Sequence, residues 1–367
     1  LQHSSGTTGL QKPVLLSHGA VQRHVETYGS VLRVGQDDRI VSWLPLYHDM
    51  GLIAAFHLPL ALGVPTVQID PFEWVSSPGI LLEAISREKG SIVWLPNFAY
   101  DLMADRISED RLHAVRLDTL RLVINCSEPV RQESHAKFVA RFHPYGLRPG
   151  ALSACYAMAE TTFAVTQVPP ETPPTVVAVD RIALQRGTVR PSAGDGPVRL
   201  CVSSGPCIPG CEIRVVDDDG RELGDNSVGE IAIRSASLFE GYRNYPEKTA
   251  EVLRDGWYYS GDYGFRRGHE YFVVGRKKDV IIVAGNNIYP EDVEAAVGSV
   301  PGVIPGRVVA FGEEHSELGS ERVAVIAETT VADELAQRRL RLEIVRAAMA
   351  IDVSIARVYL VPARFLI

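Results

Sequence analysis

The chain has 367 residues, of which 46% are hydrophobic and 22% charged, a composition typical of a globular protein with a sizeable core. Its length corresponds to about two or three domains. The formal net charge is −8 and there is no basic stripe, which argues against duplex nucleic acid as the main partner, and no apolar run approaches the ~18 residues that a membrane span requires.

Short apolar runs alternate with amphipathic stretches between residue 14 and about residue 165. The apolar runs predict buried strands and the stretches between them predict helices. This alternation indicates a layered α/β fold with a largely parallel sheet. The predicted strands are 39–43, 66–69, 92–95 and 120–124, and the predicted helices are 20–32, 50–62, 80–88 and 132–142.

The second half of the chain predicts a β-rich region and then a smaller α/β unit. Residues 166–200 are Pro-rich and irregular, and the strands 212–216 and 230–234 that follow form a predicted β pair, with the turn 217–220 between them. A second pair is predicted for 271–274 and 280–283, on either side of the polar cluster 275–279. We expect the domain boundary in that cluster, before a helix at 290–297, strands at 307–311 and 322–327, a helix at 334–350 and a strand at 357–360.

The five cysteines form no Cys-x-x-Cys pair, so we expect reduced thiols and a cytoplasmic protein. Residue 1 is leucine rather than an initiator methionine, so this end of the chain gives no information on targeting.

The most informative motif is the run 4–14, which combines glycines, hydroxyl side chains and one lysine. Small residues let backbone N–H groups surround an oxyanion, and a lysine adds positive charge. The run is not the Walker form, because no Gly-Lys-Ser/Thr follows four residues after a glycine. It therefore predicts a phosphate-binding loop, with a flexible surface loop as the alternative. The residues assigned to it are Ser5, Gly6, Thr7, Thr8, Gly9 and Lys12.

Two polar segments follow predicted strands, where ligands of open α/β sheets bind. His48 lies at a strand–helix junction, where an imidazole could orient a carboxylate or line a gate; the alternative is a structural hydrogen bond. The segment 125–129 is by itself only a turn.

Tyr156 could stack on a purine, and Glu160 could bind Mg²⁺, which prefers oxygen ligands; the alternative is a helix start with Glu in its first turn.

Two further residues are of types that could bind the ribose of a nucleotide. Asp262 could accept hydrogen bonds from both ribose hydroxyls, unless it belongs to an ordinary Gly-Asp turn. Arg276 could reach ribose or phosphate with its planar guanidinium. Its neighbour Lys277 is as readily explained as part of a solvated turn.

Taken in this order, these segments resemble the adenylate-forming superfamily of acyl and aryl ligases and adenylation domains, over nearly the whole chain. The most specific parts are 4–14, 156–160, 259–262 and 275–290. Within the superfamily, three segments are most similar to the fatty acyl-AMP ligases: WLPLYHDMGL (43–52), INCSEPV (124–130) and GDYGF (261–265). Those enzymes activate a carboxylic acid with ATP and pass it to the phosphopantetheine of a carrier protein, often in secondary metabolism.

Three features depart from that subfamily pattern. The presence of Lys12 resembles the pattern of ordinary ligases, whereas many acyl-AMP ligases have lost this lysine. Pro13 replaces the more usual glycine at the next position. The insertion that the subfamily carries is not identified, with 166–200 as its candidate location.

The resemblance implies a role for each motif residue. Thr7, Thr8 and Lys12 would hold the β- and γ-phosphates, with Thr8 and Glu160 at the Mg²⁺ ion. The wider set of residues implied at the nucleotide consists of Ser5, Gly6, Gly9, Ser127, Glu128, Pro129, Cys155, Tyr156, Ala157, Met158, Ala159, Thr161, Asp262 and Arg276, with adenine against Tyr156 and the ribose at Asp262 and Arg276.

The resemblance also implies an acyl pocket and a mobile C-terminal domain. We expect the ATP- and acyl-binding part at 1–275, the hinge with Lys278 at 276–279, and the mobile part at 280–367. Catalytic roles are implied for His48, Lys12, Arg276 and Lys278. The implied acyl pocket consists of His48, Leu95, Asn97, Phe98, Ser127, Ala154, Met158 and Phe163, with core packing as the alternative for the apolar members.

Family members have about a hundred more N-terminal residues than this chain, and a catalytic lysine near their C-terminus, so we expect both of these segments to be missing here. The sequence leaves two other functions open. One is an acyl- or aryl-CoA ligase on the same fold, and the other is a non-catalytic nucleotide-binding scaffold.

Overall fold

The computed structural model describes residues 1–4, 11–194, 196–315 and 320–366. Its largest sheet has six strands, and all neighbours are parallel except the last pair, which is antiparallel. This confirms the predicted α/β fold with a largely parallel sheet. In spatial order the strands are Thr66–Gln68, Ile40–Ser42, Ile92–Leu95, Leu122–Asn125, Leu152–Ala157 and Ala164–Gln167.

Helices cover this sheet and bury an aromatic core that includes Tyr28, Trp74, Trp94 and Tyr100. Side-chain caps mark several helix starts; the Ser17 hydroxyl, for example, accepts a hydrogen bond from the backbone N–H of Ala20. The helices are His18–Val31, Leu58–Leu62, Pro71–Ser76, Gly79–Glu88, Asn97–Arg106, Glu109–Leu112 and Gln132–Phe142, with short 3₁₀ turns at His143–Tyr145, Pro149–Ala151 and Ala159–Thr161.

The helix predicted at 50–62 is divided in two. Its first part is the π-helix Met50–His57, and an α-helix follows at Leu58–Leu62. Gly51 lies against the preceding backbone, because a Cβ built there would lie 2.3 Å from the carbonyl oxygen of Pro45. Only glycine permits this approach.

The β-rich region forms a five-stranded sheet from Cys211–Val216, Gly229–Ser235, Leu253–Arg254, Trp257–Arg267 and Glu270–Arg276. The predicted pair 212–216 and 230–234 is confirmed, with Val216 opposite Glu230. Smaller elements are a three-stranded sheet of Gln2–His3, Pro13–Leu15 and Gly241–Tyr242, a hairpin of Val176–Asp180 and Val198–Val202, and the helices Arg181–Gln185 and Pro246–Val252.

Two predictions for this region are wrong. Residues 166–200 are not irregular throughout, since they contain that hairpin and a helix. Residues 271–274 do not pair with 280–283: Glu270–Arg276 pairs with Trp257–Arg267, and Ile281–Val283 pairs with Asn286–Ile288. The chain turns at the polar cluster, where the N–H groups of Asp279 and Val280 both donate to the carbonyl of Arg276, so the two strands enter different sheets.

The C-terminal part has a hydrophobic cluster of its own, which runs from Ile281 to Ile355. It is built from the helices Pro290–Gly298 and Glu334–Met349 and the strands Val303–His315, Ser320–Thr329 and Ile355–Pro362. The proposed hinge at 276–279 lies immediately before this cluster. Among the residues described, no helix is both long enough and apolar enough to cross a bilayer.

Candidate active site

A cleft lies at the carboxyl end of the parallel sheet, where ligands of such sheets bind. Its cavity volume is about 90 Å³, below the ~300–1,000 Å³ of typical ligand sites, and the cleft is partly open to solvent. Nine of the residues predicted at the nucleotide line it: Ser127, Glu128, Pro129, Cys155, Tyr156, Ala157, Met158, Asp262 and Arg276. The structure thus brings together motifs that are up to about 150 residues apart in sequence.

Asp262 is at the centre of a buried polar group in this cleft. Tyr156 donates its hydroxyl to Oδ2 of Asp262 at 2.5 Å, and Nε of Arg276 lies 2.9 Å from Oδ1. Asp262 and Arg276 face each other in neighbouring antiparallel strands. Burial raises the pKa of Asp262, although the positive charge of Arg276 opposes this shift. A carboxylate has about four acceptor sites, so Asp262 can still accept hydrogen bonds from ligand hydroxyls.

A second polar group is formed by Glu160, Tyr242 and Lys12. Tyr242 donates its hydroxyl to Oε1 of Glu160 at 2.6 Å, and the ammonium of Lys12 lies 4.8 Å above the centre of the Tyr242 ring. Burial raises the pKa of Glu160, while the Tyr242 hydrogen bond and the charge of Lys12 act in the opposite direction. This end of the site therefore combines one buried carboxyl group with one cation.

The predicted phosphate loop begins and ends beside this second group. The backbone N–H of Ser4 donates to the carbonyl of Lys12 at 3.0 Å, and the N–H of Lys12 donates to the Ser4 hydroxyl at 2.9 Å. These bonds hold the two ends of the loop together. Five predicted residues, Ser5, Gly6, Thr7, Thr8 and Gly9, lie outside the described residues, so their roles stay predictions.

The described residues form no cluster of three or more His, Cys, Asp or Glu side chains that could hold a metal by themselves. Glu160 supplies a single buried carboxyl group. Mg²⁺ is often bound through one or two carboxylates together with substrate phosphates. Glu160 therefore fits an ion that arrives with a nucleotide, rather than a preformed metal site.

Other predicted nucleotide residues are used within the protein. Oε2 of Glu128 accepts a hydrogen bond from the backbone N–H of Phe98 at 3.0 Å and so caps the helix Asn97–Arg106, although burial raises the pKa of this carboxyl group. The hydroxyl of Thr161 donates to the carbonyl of Phe163 at 2.8 Å. Ala159 is buried beside Tyr156, outside the cleft.

The residues predicted for the acyl pocket separate into three groups. Ser127 and Met158 line the cleft. Asn97 belongs to a buried amide network, in which the Asn125 side chain donates to its oxygen at 3.0 Å. The apolar members Leu95, Ala154 and Phe163 are buried in the core, which agrees with core packing, the alternative to a role in the acyl pocket.

Phe98 and His48 are more accessible. Phe98 is half-exposed and contacts the stacked rings of Trp43 and Trp74 edge-on. Nδ1 of His48 lies 2.7 Å from Oδ1 of Asp49. Burial alone would lower the pKa of His48, but the hydrogen bond and charge of Asp49 outweigh it and raise the pKa above its ordinary value.

Sequence reasoning missed six residues that line the cleft: Val130, Val202, Ser204, Val273, Gly275 and Glu291. Glu291 comes from the C-terminal unit, where it directly follows Pro290 of the last motif. A Cβ at Gly275 would lie 3.4 Å from its Oε2, an ordinary contact, but only 3.0 Å from Cδ1 of Tyr289, so the close approach at Gly275 is that of the tyrosine ring. Burial raises the pKa of Glu291 to about 6.

The C-terminal unit is joined to the rest of the chain by charged contacts next to the cleft. Asp292 binds two arginines of the hairpin region, Arg181 at 2.7 Å and Arg199 at 3.3 Å. Arg131 donates to the backbone carbonyl of Glu291 at 3.2 Å. Lys278 lies near the same cleft, where burial and the charges of Arg276 and Lys12 lower its pKa although Asp279 opposes this shift.

Comparisons with known proteins show which family this chain belongs to. A family model for AMP-binding enzymes matches residues 1–243. The probable long-chain-fatty-acid–AMP ligase FadD30 of Mycobacterium tuberculosis is 33% identical over 353 residues, which cover 89% of this chain and 59% of FadD30. The medium-chain-fatty-acid–[acyl-carrier-protein] ligase JamA of Moorena producens is 33% identical over 341 residues, or 89% of this chain and 57% of JamA.

A solved structure from a study of fatty acyl-adenylate ligases of E. coli and L. pneumophila superposes with a TM-score of 0.92 at 27% identity. The alignment covers 99% of this chain and 65% of that one. The present chain thus spans about three fifths of the length of the curated relatives described above.

Proposed function

Because this chain belongs to the AMP-binding enzyme family, we propose that its protein uses ATP to activate a carboxylic acid, fatty or otherwise apolar, as an acyl-adenylate. Pyrophosphate is released, and the acyl group then passes to the phosphopantetheine of a carrier protein. The observation that carries the proposal is the pair of polar groups on either side of segment 156–160. Asp262 with Arg276 matches a ribose, and Glu160 with Lys12 matches a metal-bound polyphosphate.

The first step is proposed as an in-line displacement at the α-phosphorus of ATP. A carboxylate oxygen of the acid forms a bond to that phosphorus, while the bond between the α-phosphorus and the bridging oxygen breaks and pyrophosphate leaves. Catalysis of such transfers is mostly positioning and electrostatic stabilisation. Asp262 accepts hydrogen bonds from the ribose, and Tyr156 forms the wall on which adenine lies.

The negative charge that develops on the phosphates is stabilised at the other end of the site, beside Glu160 and Lys12. Lys12 supplies a cation next to the ends of the predicted phosphate loop, and Glu160 would hold Mg²⁺ together with the phosphates. When bound, such an ion would supply positive charge that offsets the charge of the leaving pyrophosphate. The proposed setting is the cytoplasm, which the five free thiols support.

The names of FadD30 and JamA support a fatty acid as substrate, and that of JamA supports a carrier protein as acceptor. The alternative acceptor is CoA; the presence of Lys12 leaves it open, because many acyl-AMP ligases have lost this lysine and ordinary ligases have it. The two possibilities share the first half-reaction and differ only in the second.

The test measures pyrophosphate release by the full-length protein with ATP, Mg²⁺ and a panel of fatty and aryl acids. The matched variants are Asp262→Asn, expected to lose release, and Asp225→Asn, a surface carboxylate bound to Arg266, expected to retain it. The acid that gives the highest rate is then offered with CoA or with holo carrier protein. Loading of the carrier alone supports the proposal, transfer to CoA favours the alternative, and no release with any acid refutes both.

A further inference from the structure

Thr162 has a backbone conformation that threonine rarely adopts. Its φ is +71° and its ψ is −52°, close to the strained γ-turn with positive φ. A β-branched residue at positive φ is a genuine outlier. The side chain is fully buried, so solvent exposure does not explain the conformation.

Two long-range hydrogen bonds hold this residue, one through its side chain and one through its backbone carbonyl. The hydroxyl of Thr162 donates to the carbonyl of Ser237 at 2.8 Å, and the side-chain amide of Gln2 donates to the carbonyl of Thr162 at 3.3 Å. Gln2 is itself buried, and within the described part of the chain its Oε1 has no hydrogen-bond partner. The buried Gln2 amide is therefore directed at the strained turn.

The strained turn connects the two elements that form the phosphate end of the site. Glu160 lies two residues before Thr162, and its backbone carbonyl accepts a third hydrogen bond, from Phe239 at 2.8 Å. Gln2 lies in the strand Gln2–His3, which leads to the bonded pair Ser4 and Lys12 at the ends of the predicted phosphate loop. Strain of this kind persists only where the surrounding structure over-determines it, and it is concentrated at functional sites.

We propose that Thr162 is a positioning residue: its clamped turn fixes the carboxyl group of Glu160 relative to Lys12. The inference rests on the proposed function, in which Glu160 holds the metal ion of a nucleotide. A purely structural role makes a different prediction, because glycine adopts a positive φ without strain and should then be tolerated at this position.

The test compares Thr162→Gly, Thr162→Ser and the parent full-length protein by calorimetric titration with ATP, in Mg²⁺ and in EDTA. Loss of residues that orient a metal ligand weakens metal binding about 10–100-fold. Thr162→Gly is therefore expected to weaken MgATP binding by at least ~10-fold and to leave binding in EDTA nearly unchanged. Thr162→Ser keeps the hydroxyl and is expected to stay near the parent.

Lys89→Gly is the matched control, since Lys89 also has a positive φ, of 58°, but is exposed at the end of the helix Gly79–Glu88. It should alter neither titration. Gln2→Leu removes one clamp without altering the turn, and should weaken MgATP binding in the same direction even where the glycine variant does not fold.

Equal MgATP affinity of the parent, Thr162→Gly and Gln2→Leu overturns the inference and leaves the proposed function standing. A parent protein that binds ATP no better with Mg²⁺ than with EDTA overturns the metal role of Glu160, and the inference with it.

Discussion

Asp292 offers the sharpest test of how the C-terminal unit is held. Its carboxylate lies between Arg181 and Arg199, and all three side chains are less than one-fifth exposed. Arg199 also donates to the carbonyl of Val274, at 2.7 Å, and its Nη1 has no hydrogen-bond partner among the residues that the structure describes. The variant Asp292→Asn keeps the shape of the side chain and removes its charge, so that two buried guanidinium groups lose their counter-ion.

The cost follows from that burial. Removing one partner of a buried ion pair destabilises by ~3–5 kcal/mol. The protein can avoid most of this cost by separating the two units, because the arginines then regain water. At ~1.4 kcal/mol per tenfold, a loss of ~3 kcal/mol raises the separated fraction about a hundredfold.

Limited proteolysis with trypsin measures this fraction, since the segment between the units contains Arg276, Lys277 and Lys278. We expect much faster cleavage there in Asp292→Asn than in the parent. The exposed Asp352 of the same unit provides the control, and Asp352→Asn should be cleaved at the parental rate. Equal cleavage of Asp292→Asn and the parent would show that the ion pairs do not hold the units together.

Three further changes test the cleft. Asp262→Asn removes the charge that Tyr156 and Arg276 bind, and calorimetry should show ATP binding weaker by about 10–100-fold, because hydrogen bonds to charged groups contribute ~1.5–3 kcal/mol; unchanged affinity would remove this residue from the ribose site. Burial raises the pKa of Glu291 from 4.5 to about 6, so its ionisation destabilises the fold increasingly as pH rises from 4.5 to 6, by about 2 kcal/mol in total. The melting temperature of Glu291→Gln should accordingly exceed that of the parent above pH 6 and match it below pH 4.5, and a constant difference across this range would contradict the reasoning. Gly275→Ala would bring its Cβ to 3.0 Å from Cδ1 of Tyr289 in the C-terminal unit, and should speed tryptic cleavage between the units as Asp292→Asn does; parental cleavage would show that the tyrosine ring adjusts freely.

The local spacing of apolar residues was enough to predict the helices and strands that pack one face on the core. The helix Gln132–Phe142 and the strand Ile92–Leu95 have the predicted limits, since their apolar spacing is set by the core they pack on. The predicted pairing of 271–274 with 280–283 failed for a physical reason. A run of apolar residues indicates a strand but not its partner, and here the partner is Trp257–Arg267, across the turn at Gly268 with its φ of +64°.

The candidate site was predictable motif by motif, but its assembly was not. Asp262 and Arg276 were each predicted at a ribose, yet only the strand register shows that they face each other. Glu128 was predicted at the nucleotide, whereas its carboxyl group also caps a helix through Phe98, a contact between positions thirty residues apart. Glu291 was missed because its place in the cleft depends on how two units pack.

The cleft has walls from both units, so a nucleotide bound there as proposed would hold the two units together reversibly. Glu291 belongs to the C-terminal unit, whereas Tyr156 and Asp262 belong to the preceding one. A ligand that contacts both walls binds only the joined arrangement, which it stabilises by ~2.7 kcal/mol when present at a hundred times its dissociation constant. This nearly equals the ~3 kcal/mol expected from breaking the Asp292 ion pairs. If the proposed function holds, the supply of nucleotide, as much as the protein's own contacts, would set how often the two units come apart.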